Sequence, residues 1–306
     1  MGRSWRRPWT RWPVLVLLAG VLLATPAAAA GRPSLIDPSH LREALGSGRP
    51  PIVLDARSER EYAGGHIPGA ISAPWTAFAD FRTRRPGEPG FGGPLPPDRL
   101  PLAVGRLGID GARPVVVYAA SPASAGADGR VAWALLVAGQ RDVRILDGGI
   151  GAWTGAGGAL TRDIVTPVPA AFSPARPEPA LDVSTAALRG RLGRVKIVDG
   201  REPDEYAGSR KSGEARGGHV PGAINLAWSQ SLTPDGRVKS SAELRALFEK
   251  AGLKPDDEIV TYCTVGVRSA HLAFVLRLAG YGNAKNYPAS FNEWAADPAL
   301  PVETGR

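Results

Sequence analysis

Ile259-Val260-Thr261-Tyr262-Cys263-Thr264-Val265-Gly266-Val267-Arg268, continuing through Ser269-Ala270-His271 to Gly280, is the stretch on which the reading of this 306-residue chain turns. Ile259 to Tyr262 is a short β-branched and aromatic run of the kind that makes a buried strand. His271 to Leu278 is apolar and helix-favouring, and Gly280 supplies its C-cap signal. Between them lies Cys263, the only cysteine in the sequence. A thiol at the end of a strand and just before a helix N-terminus sits where backbone N–H groups and the helix dipole favour the thiolate, the nucleophilic form. Gly266 lets the loop curl so that its N–H groups converge, and Arg268 adds a fixed positive charge. A lone cysteine is by default a small buried hydrophobe. Here it ends a strand instead of sitting inside one, and a Gly and an Arg follow within five positions, so nucleophilic chemistry is the better reading.

Working outward, the chain repeats itself. Asp55-Ala56-Arg57, Glu61-Tyr62 and Gly64 recur 144 residues later as Asp199-Gly200-Arg201, Glu205-Tyr206 and Gly208. Gly65-His66-Ile67-Pro68-Gly69-Ala70-Ile71 returns as Gly218-His219-Val220-Pro221-Gly222-Ala223-Ile224, and Val115–Tyr118 as Ile259–Tyr262. The closing Asp147-Gly148-Gly149 to Trp153 parallels Ala289-Ser290 to Trp294. A period this long is a duplicated domain and not a solenoid. Each copy alternates strand and helix signals, which predicts an α/β unit with a mainly parallel sheet flanked by helices. The expected organisation is a first domain over 34–160, a linker over 161–180 whose stretch Thr166 to Pro179 is rich in Pro and Ala, and a second domain over 181–304. Cys263 falls opposite Ala119. The first copy therefore lacks a nucleophile, and packing against the second and walling the cleft are its expected roles.

The first thirty residues read as an export signal. Arg3, Arg6, Arg7 and Arg11 form a basic region, Val14 to Leu23 a short apolar core, and Thr25 to Ala30 the small residues that a signal peptidase needs. The apolar run is short for a bilayer crossing, which makes an uncleaved anchor the lesser alternative. Arg6-Arg7 is a twin arginine, but Pro8-Trp9 follows it, which weakens a Tat reading. The expected mature protein is periplasmic or secreted. Without this segment the formal charge falls from +8 to +4. No basic cluster interleaved with aromatics remains, so nucleic acid is not an expected partner. One cysteine permits no internal disulfide, so the fold must rest on its apolar core. A single thiol and four scattered histidines suggest no metal site.

Not every repeated polar residue points to chemistry. His66 and His219 occur in both halves although one half alone has a nucleophile, so a turn-tying structural role is favoured for both. Asp55 with Arg57, and Asp199 with Arg201, read as structural ion pairs. One difference between the halves is informative: Tyr62 and His66 are four residues apart, Tyr206 and His219 thirteen. The added Ser209–Gly217 segment is basic and reads first as a solvated loop. Its functional reading is that Arg210, Lys211 or Arg216 reaches over the pocket mouth to hold an anion.

Taken together, Asp-x-Arg, Glu-Tyr and Gly-His-(Ile/Val)-Pro-Gly-Ala in both halves, the Cys263-to-Arg268 loop and the Trp-terminated ends make the chain resemble the tandem-domain rhodanese family, the thiosulfate and 3-mercaptopyruvate sulfurtransferases. The resemblance spans roughly Pro33 to Val302. It implies an inactive first domain, an active second domain, and a loop whose amides cradle a cysteine persulfide. On that model Cys263 thiolate takes the sulfane sulfur of a small anionic donor and passes it to cyanide or a thiol, with no cofactor. Amides of Thr264, Val265, Gly266, Val267 and Arg268 would steady the persulfide, and Arg268 and Arg216 the donor's anionic part. Family members usually carry an acidic residue where this chain has Ala119. A basic residue after the cysteine goes with thiosulfate in the family, and Gly-Ser-Gly-Val-Thr-like loops with mercaptopyruvate. This loop matches neither fully, and the permanent charge of Arg268 favours thiosulfate. Two packed halves make a monomer sufficient.

Two rivals come from other classes. A cysteine phosphatase also uses a thiolate in a loop ending in Arg, but with Cys-x5-Arg spacing, and here four residues separate Cys263 from Arg268. A non-enzymatic persulfide carrier or partner-binding module keeps the thiol and the cleft without turnover. Catalysis predicts steady turnover that is lost with Cys263.

Overall fold

The computed structural model describes residues 1–2, 33–82, 88, 90–174 and 177–305. The proposed export signal lies almost wholly outside these residues. The first domain runs β1 (Ser34–Ile36), α1 (Pro38–Leu45), β2 (Ile52–Asp55), α2 (Glu59–Gly64), β3 (Ile71–Ser72), α3 (Leu100–Arg106), β4 (Val115–Tyr118), α4 (Ala127–Ala138), β5 (Val143–Leu146) and α5 (Gly149–Gly155). The second runs α6 (Thr185–Arg189), β6 (Lys196–Asp199), α7 (Pro203–Ala207), β7 (Ile224–Asn225), α8 (Ser241–Lys250), β8 (Ile259–Tyr262), α9 (Val267–Leu278), β9 (Ala284–Asn286) and α10 (Ser290–Ala296).

Each domain is one parallel sheet, in the order β1-β5-β4-β2-β3 for the first and β7-β6-β8-β9 for the second. The central strands β4 and β8 read as β-branched and aromatic runs, and every residue of both is buried, Thr261 with its hydroxyl donating to the Ser269 carbonyl. That is the signature of a strand covered by helices on both faces, where each enclosed Val or Ile contributes about 1.5–3 kcal/mol. β1 forms the edge of the first sheet. Its counterpart in the second is reduced to a single parallel bridge between Asp182 and Asn286. Helix starts follow local chemistry: Ser58 with Glu61, and Ser240 with Glu243, form capping boxes for α2 and α8.

The two domains meet along α4 and α9. Gly129 on α4 permits the contact, because a Cβ there would stand 2.4 Å from His271 Cα on α9. Ala270, Ala273 and Phe274 of α9 belong to the first domain's core cluster, so the interface extends that core. At its edge His271 Nδ1 lies 3.3 Å from Asp128 Oδ1. Among its described residues the expected linker carries a single bridge from Thr161 to His66 and, at its end, a short 3-10 turn at Pro179–Leu181. It is pinned along the first domain where Ala170 N–H donates to the Gly105 carbonyl and Glu178 N–H to that of Val137. Among the described residues no helix is long and apolar enough to cross a membrane.

Candidate active site

The site is assembled at the C-terminal end of β8, where the chain leaves the sheet and turns into α9. The helix begins earlier than its apolar pattern suggests, at Val267, so the connecting loop is only Cys263 to Gly266, and Arg268 stands on the first helical turn. Gly266 is the N-cap, with φ 81°. A side chain there is excluded twice, by the left-handed backbone and by the Pro288 carbonyl, 2.3 Å from where a Cβ would sit.

The loop is clamped from behind by the turn after β9. Phe291 N–H donates to the Cys263 carbonyl and Asn292 N–H to that of Thr264, both at 3.0 Å. Cys263 N–H donates to Ser290 Oγ at 3.1 Å. Ser290 holds φ 57°, rare for a residue with a side chain, and its hydroxyl in turn donates to the Tyr287 carbonyl. Backbone strain is accepted here where it fixes the cysteine.

Cys263 itself is 1% exposed. Burial by itself pushes its thiol pKa up, but the Arg268 charge, the N–H groups of Ser269 and Val265 and the Ser269 hydroxyl outweigh it, and the net shift is downward. Gly266 N–H donates to Sγ at 3.2 Å. The sulfur is thus held by main-chain donors at a helix N-terminus, an arrangement that favours the thiolate.

Arg268 does not stand open to solvent. Its Nη1 and Nη2 form a fork on Glu205 Oε2 and Oε1 at 2.7 and 3.0 Å, and Nη2 also donates to Thr264 Oγ1 at 2.8 Å. Burial pushes the Glu205 carboxyl up, but the Arg268 fork and the Glu202 N–H outweigh it, to about 2. The Ser209–Gly217 insertion differs from expectation. Arg210 bonds Asp204 at 2.6 Å and brings Nη2 within 3.3 Å of Glu205 Oε2, and Lys211 is exposed. Arg216 does not reach the pocket mouth: its guanidinium donates to the carbonyls of Trp294, Ala295, Asp297 and Leu300, tying the insertion to the C-terminal segment. What the insertion delivers inward is an acid. Glu214 is buried and accepts the Thr264 hydroxyl at 3.1 Å, with Arg201 Nη1 3.6 Å away. Its residue count signalled an addition, but four basic or acidic side chains in a row of nine do not reveal which one folds in.

The repeated polar residues are placed alike in both halves. Arg57 forks onto Asp55, and Arg201 onto Asp199, each with a 2.6 Å contact and a further bond to the carbonyl of Gly65 or Gly218. His66 Nδ1 bonds the Tyr62 carbonyl and His219 Nδ1 that of Tyr206, both at 2.9 Å, with each imidazole stacked on its tyrosine ring. These contacts close the turn and leave both histidines away from the thiol loop. Among the described residues no group of His, Cys, Asp and Glu side chains is arranged to hold a metal.

One residue near the thiol escaped the sequence altogether: Arg130, on α4 of the first domain. It is 2% exposed and is close enough to Cys263 for their charges to interact. Nothing in the local pattern of α4, Ala127-Asp128-Gly129-Arg130, distinguishes it from a surface arginine.

Two parallel α/β domains stand in tandem, and one of them presents a cysteine thiol at a helix N-terminus. The rhodanese-like domain model matches the chain twice, over residues 37–156 and 184–297, and the chain belongs to the rhodanese family. The chain is 35% identical over 280 residues to thiosulfate sulfurtransferase of Azotobacter vinelandii, an alignment covering 90% of this chain and 98% of the relative. It is also 35% identical over 271 residues to a probable 3-mercaptopyruvate sulfurtransferase of Pseudomonas aeruginosa, covering 83% and 92%. The solved structure of the anaerobic ergothioneine biosynthesis enzyme of Chlorobium limicola with trimethyl histidine superposes with a TM-score of 0.79 at 25% identity, covering 89% of this chain and 70% of that one. The protein is a sulfurtransferase with two tandem domains.

Proposed function

We propose that the protein moves sulfane sulfur from thiosulfate to a thiol or cyanide through a persulfide on Cys263. The observation that carries this reading is the Gly266 N–H directed at Cys263 Sγ at the start of α9, with the thiol pKa lowered. In the first half-reaction the thiolate attacks the outer sulfur of the donor. A Cys263 S–S bond forms, the donor's S–S bond breaks, and sulfite leaves with the electron pair. In the second, the acceptor attacks the terminal sulfur and Cys263 departs as thiolate. The amides of the loop stabilise the negative charge on sulfur at both stages, as oxyanion-hole donors do.

Thiosulfate is favoured over 3-mercaptopyruvate by the enclosed, four-residue loop and by the name of the Azotobacter relative. Arg268 supports this less directly than its sequence position suggests, since Glu205 already engages its fork. Incubation with each donor followed by intact mass spectrometry tests the reading. Thiosulfate is expected to add one sulfur atom to the wild-type chain and none to Cys263→Ala; faster loading by mercaptopyruvate would reverse the donor assignment. The order of basic, apolar and small residues over 1–30 further supports export. Fractionation of cells should recover a chain shortened near Ala30 outside the cytoplasm, and a full-length cytoplasmic chain would refute that.

A further inference from the structure

Three buried or half-buried arginines of the two domains differ in their partners. Arg268 is forked onto Glu205 and Arg201 onto Asp199. Arg130 is buried, yet its Nε and Nη2 have no hydrogen-bond partner among the described residues. Desolvated guanidinium N–H groups left unpaired are costly, and such orphaned groups call for an occupant. Burial draws its pKa down from the ordinary arginine value, opposed by the charges of Asp182 and Cys263.

Arg130 lines a cavity of about 490 Å³ between the domains. Most of the wall is apolar, with Phe78, Leu100, Trp133 and Val137 from the first domain. On the opposite side stand Pro288 and Ala289, the residues just before Ser290 and Phe291, which hold the backbone of Cys263. Two acids border the same space but are already bonded. Asp182 accepts the Trp133 indole N–H at 2.9 Å, and Glu293 accepts Gly90 N–H at 2.6 Å and the Thr185 hydroxyl. An ion the size of thiosulfate would leave most of this volume empty. The volume is instead that of a pocket for an organic molecule, mainly apolar with one polar anchor.

We propose that this cavity receives the sulfur acceptor, a thiol on an apolar organic body that ends in a carboxylate or sulfonate, and that Arg130 of the silent domain holds the anionic end. The inference rests on the sulfurtransferase reading above. In the step it serves, the acceptor thiol gives its proton to solvent and its sulfur attacks the outer sulfur of the Cys263 persulfide. A new S–S bond forms on the acceptor, the Cys263 S–S bond breaks, and the electron pair returns to Cys263 as thiolate.

The test uses the whole protein, first loaded with thiosulfate and checked by intact mass, then unloaded by 4-sulfanylbenzoate or by its uncharged amide, 4-sulfanylbenzamide. A wild-type chain that never loads refutes the sulfurtransferase reading and not the cavity. Once loaded, the wild type is expected to prefer the benzoate in kcat/KM by at least about tenfold, the scale of a charge-assisted hydrogen bond. Arg130→Met should remove that preference through KM for the benzoate while KM for the amide stays put, and Arg130→Lys should restore part of it. Ala134→Trp, which fills the cavity, should raise KM for both thiols. Equal use of benzoate and amide by the wild type, or a preference that survives Arg130→Met, overturns the inference.

Discussion

The two strand-to-helix turns, Ala119 to Gly126 in the first domain and Cys263 to Gly266 in the second, start from the same strand and end at the same kind of glycine N-cap, with φ 79° and 81°. Between those points they diverge. The second turn is short, and its Gly266 N–H returns to Sγ of the residue that ends the strand. The first is four residues longer. It bonds internally through Ser124, whose N–H meets the Ala120 carbonyl and whose hydroxyl accepts Ala120 N–H, and Ser121 reaches across to the carbonyl of Gly236 in the other domain. Behind each turn the clamp is also conserved in form but not in content. Ile150 N–H meets the Ala119 carbonyl as Phe291 N–H meets that of Cys263. Where the first domain has Gly149, the second has Ser290, whose hydroxyl accepts the cysteine N–H. Loss of the thiol is therefore only one of several changes. The first turn became an interface element, and its helix supplies Arg130 to the cavity instead.

That contrast can be broken most severely at the nucleophile. Cys263→Ala should lower thiosulfate-to-cyanide turnover by at least about a thousandfold, as removing a covalent nucleophile does. Adding Ala119→Cys to that variant should restore none of it, because no loop N–H converges there; recovery of turnover would show the two turns to be equivalent. Next in size is Gly266→Ala. With φ fixed near 81° and the Pro288 carbonyl in the way, the turn must shift, costing about 1–3 kcal/mol in thermal unfolding and most of the sulfur loading. Gly126→Ala, which meets the His271 side chain at 2.9 Å, should cost stability but leave the loading step largely intact.

Glu205 separates the halves electrostatically, since Glu61, its counterpart, caps α2 through Ser58 instead of pairing with an arginine. Its folded carboxyl is depressed from 4.5 to about 2. The stability it contributes is complete above pH about 4.5 and is lost as pH falls toward about 2. The full amount is on the order of 3 kcal/mol. Glu205→Gln should flatten that acid limb in unfolding measured against pH; an unchanged limb would remove the pair from the account. A smaller shift is expected in the pH profile of sulfur loading. The wild-type limb should rise at a pH below the ordinary thiol range, and Arg268→Met should move it to higher pH, because the cation that favours thiolate is gone. The smallest effect should be the most symmetric: His66→Phe and His219→Phe keep a ring against the tyrosine but each remove the turn-closing bond to its carbonyl, about 1 kcal/mol by denaturant titration.

Much of this was legible in the chain itself. The β-branched runs of β4 and β8 and the 144-residue repeat pointed to two parallel α/β units, and the single cysteine was placed at the end of the second unit's central strand, because strand burial and chain duplication leave local, periodic traces. The Asp-x-Arg pairs were readable for the same reason, as their partners lie two residues apart. The rest required the third dimension. Whether Arg216 faced a ligand or the carbonyls of Trp294 and Asp297, and whether Arg268 stood free or was forked onto Glu205, depends on segments some 60 to 80 residues away. Arg130 is the extreme case: its place on the wall of the cavity between the domains depends on Gly129 letting α4 settle onto α9. Local pattern determines which elements form, since it acts within a few bonds. The charge environment of the sulfur is a sum over groups brought together by packing, and no short stretch of sequence contains it.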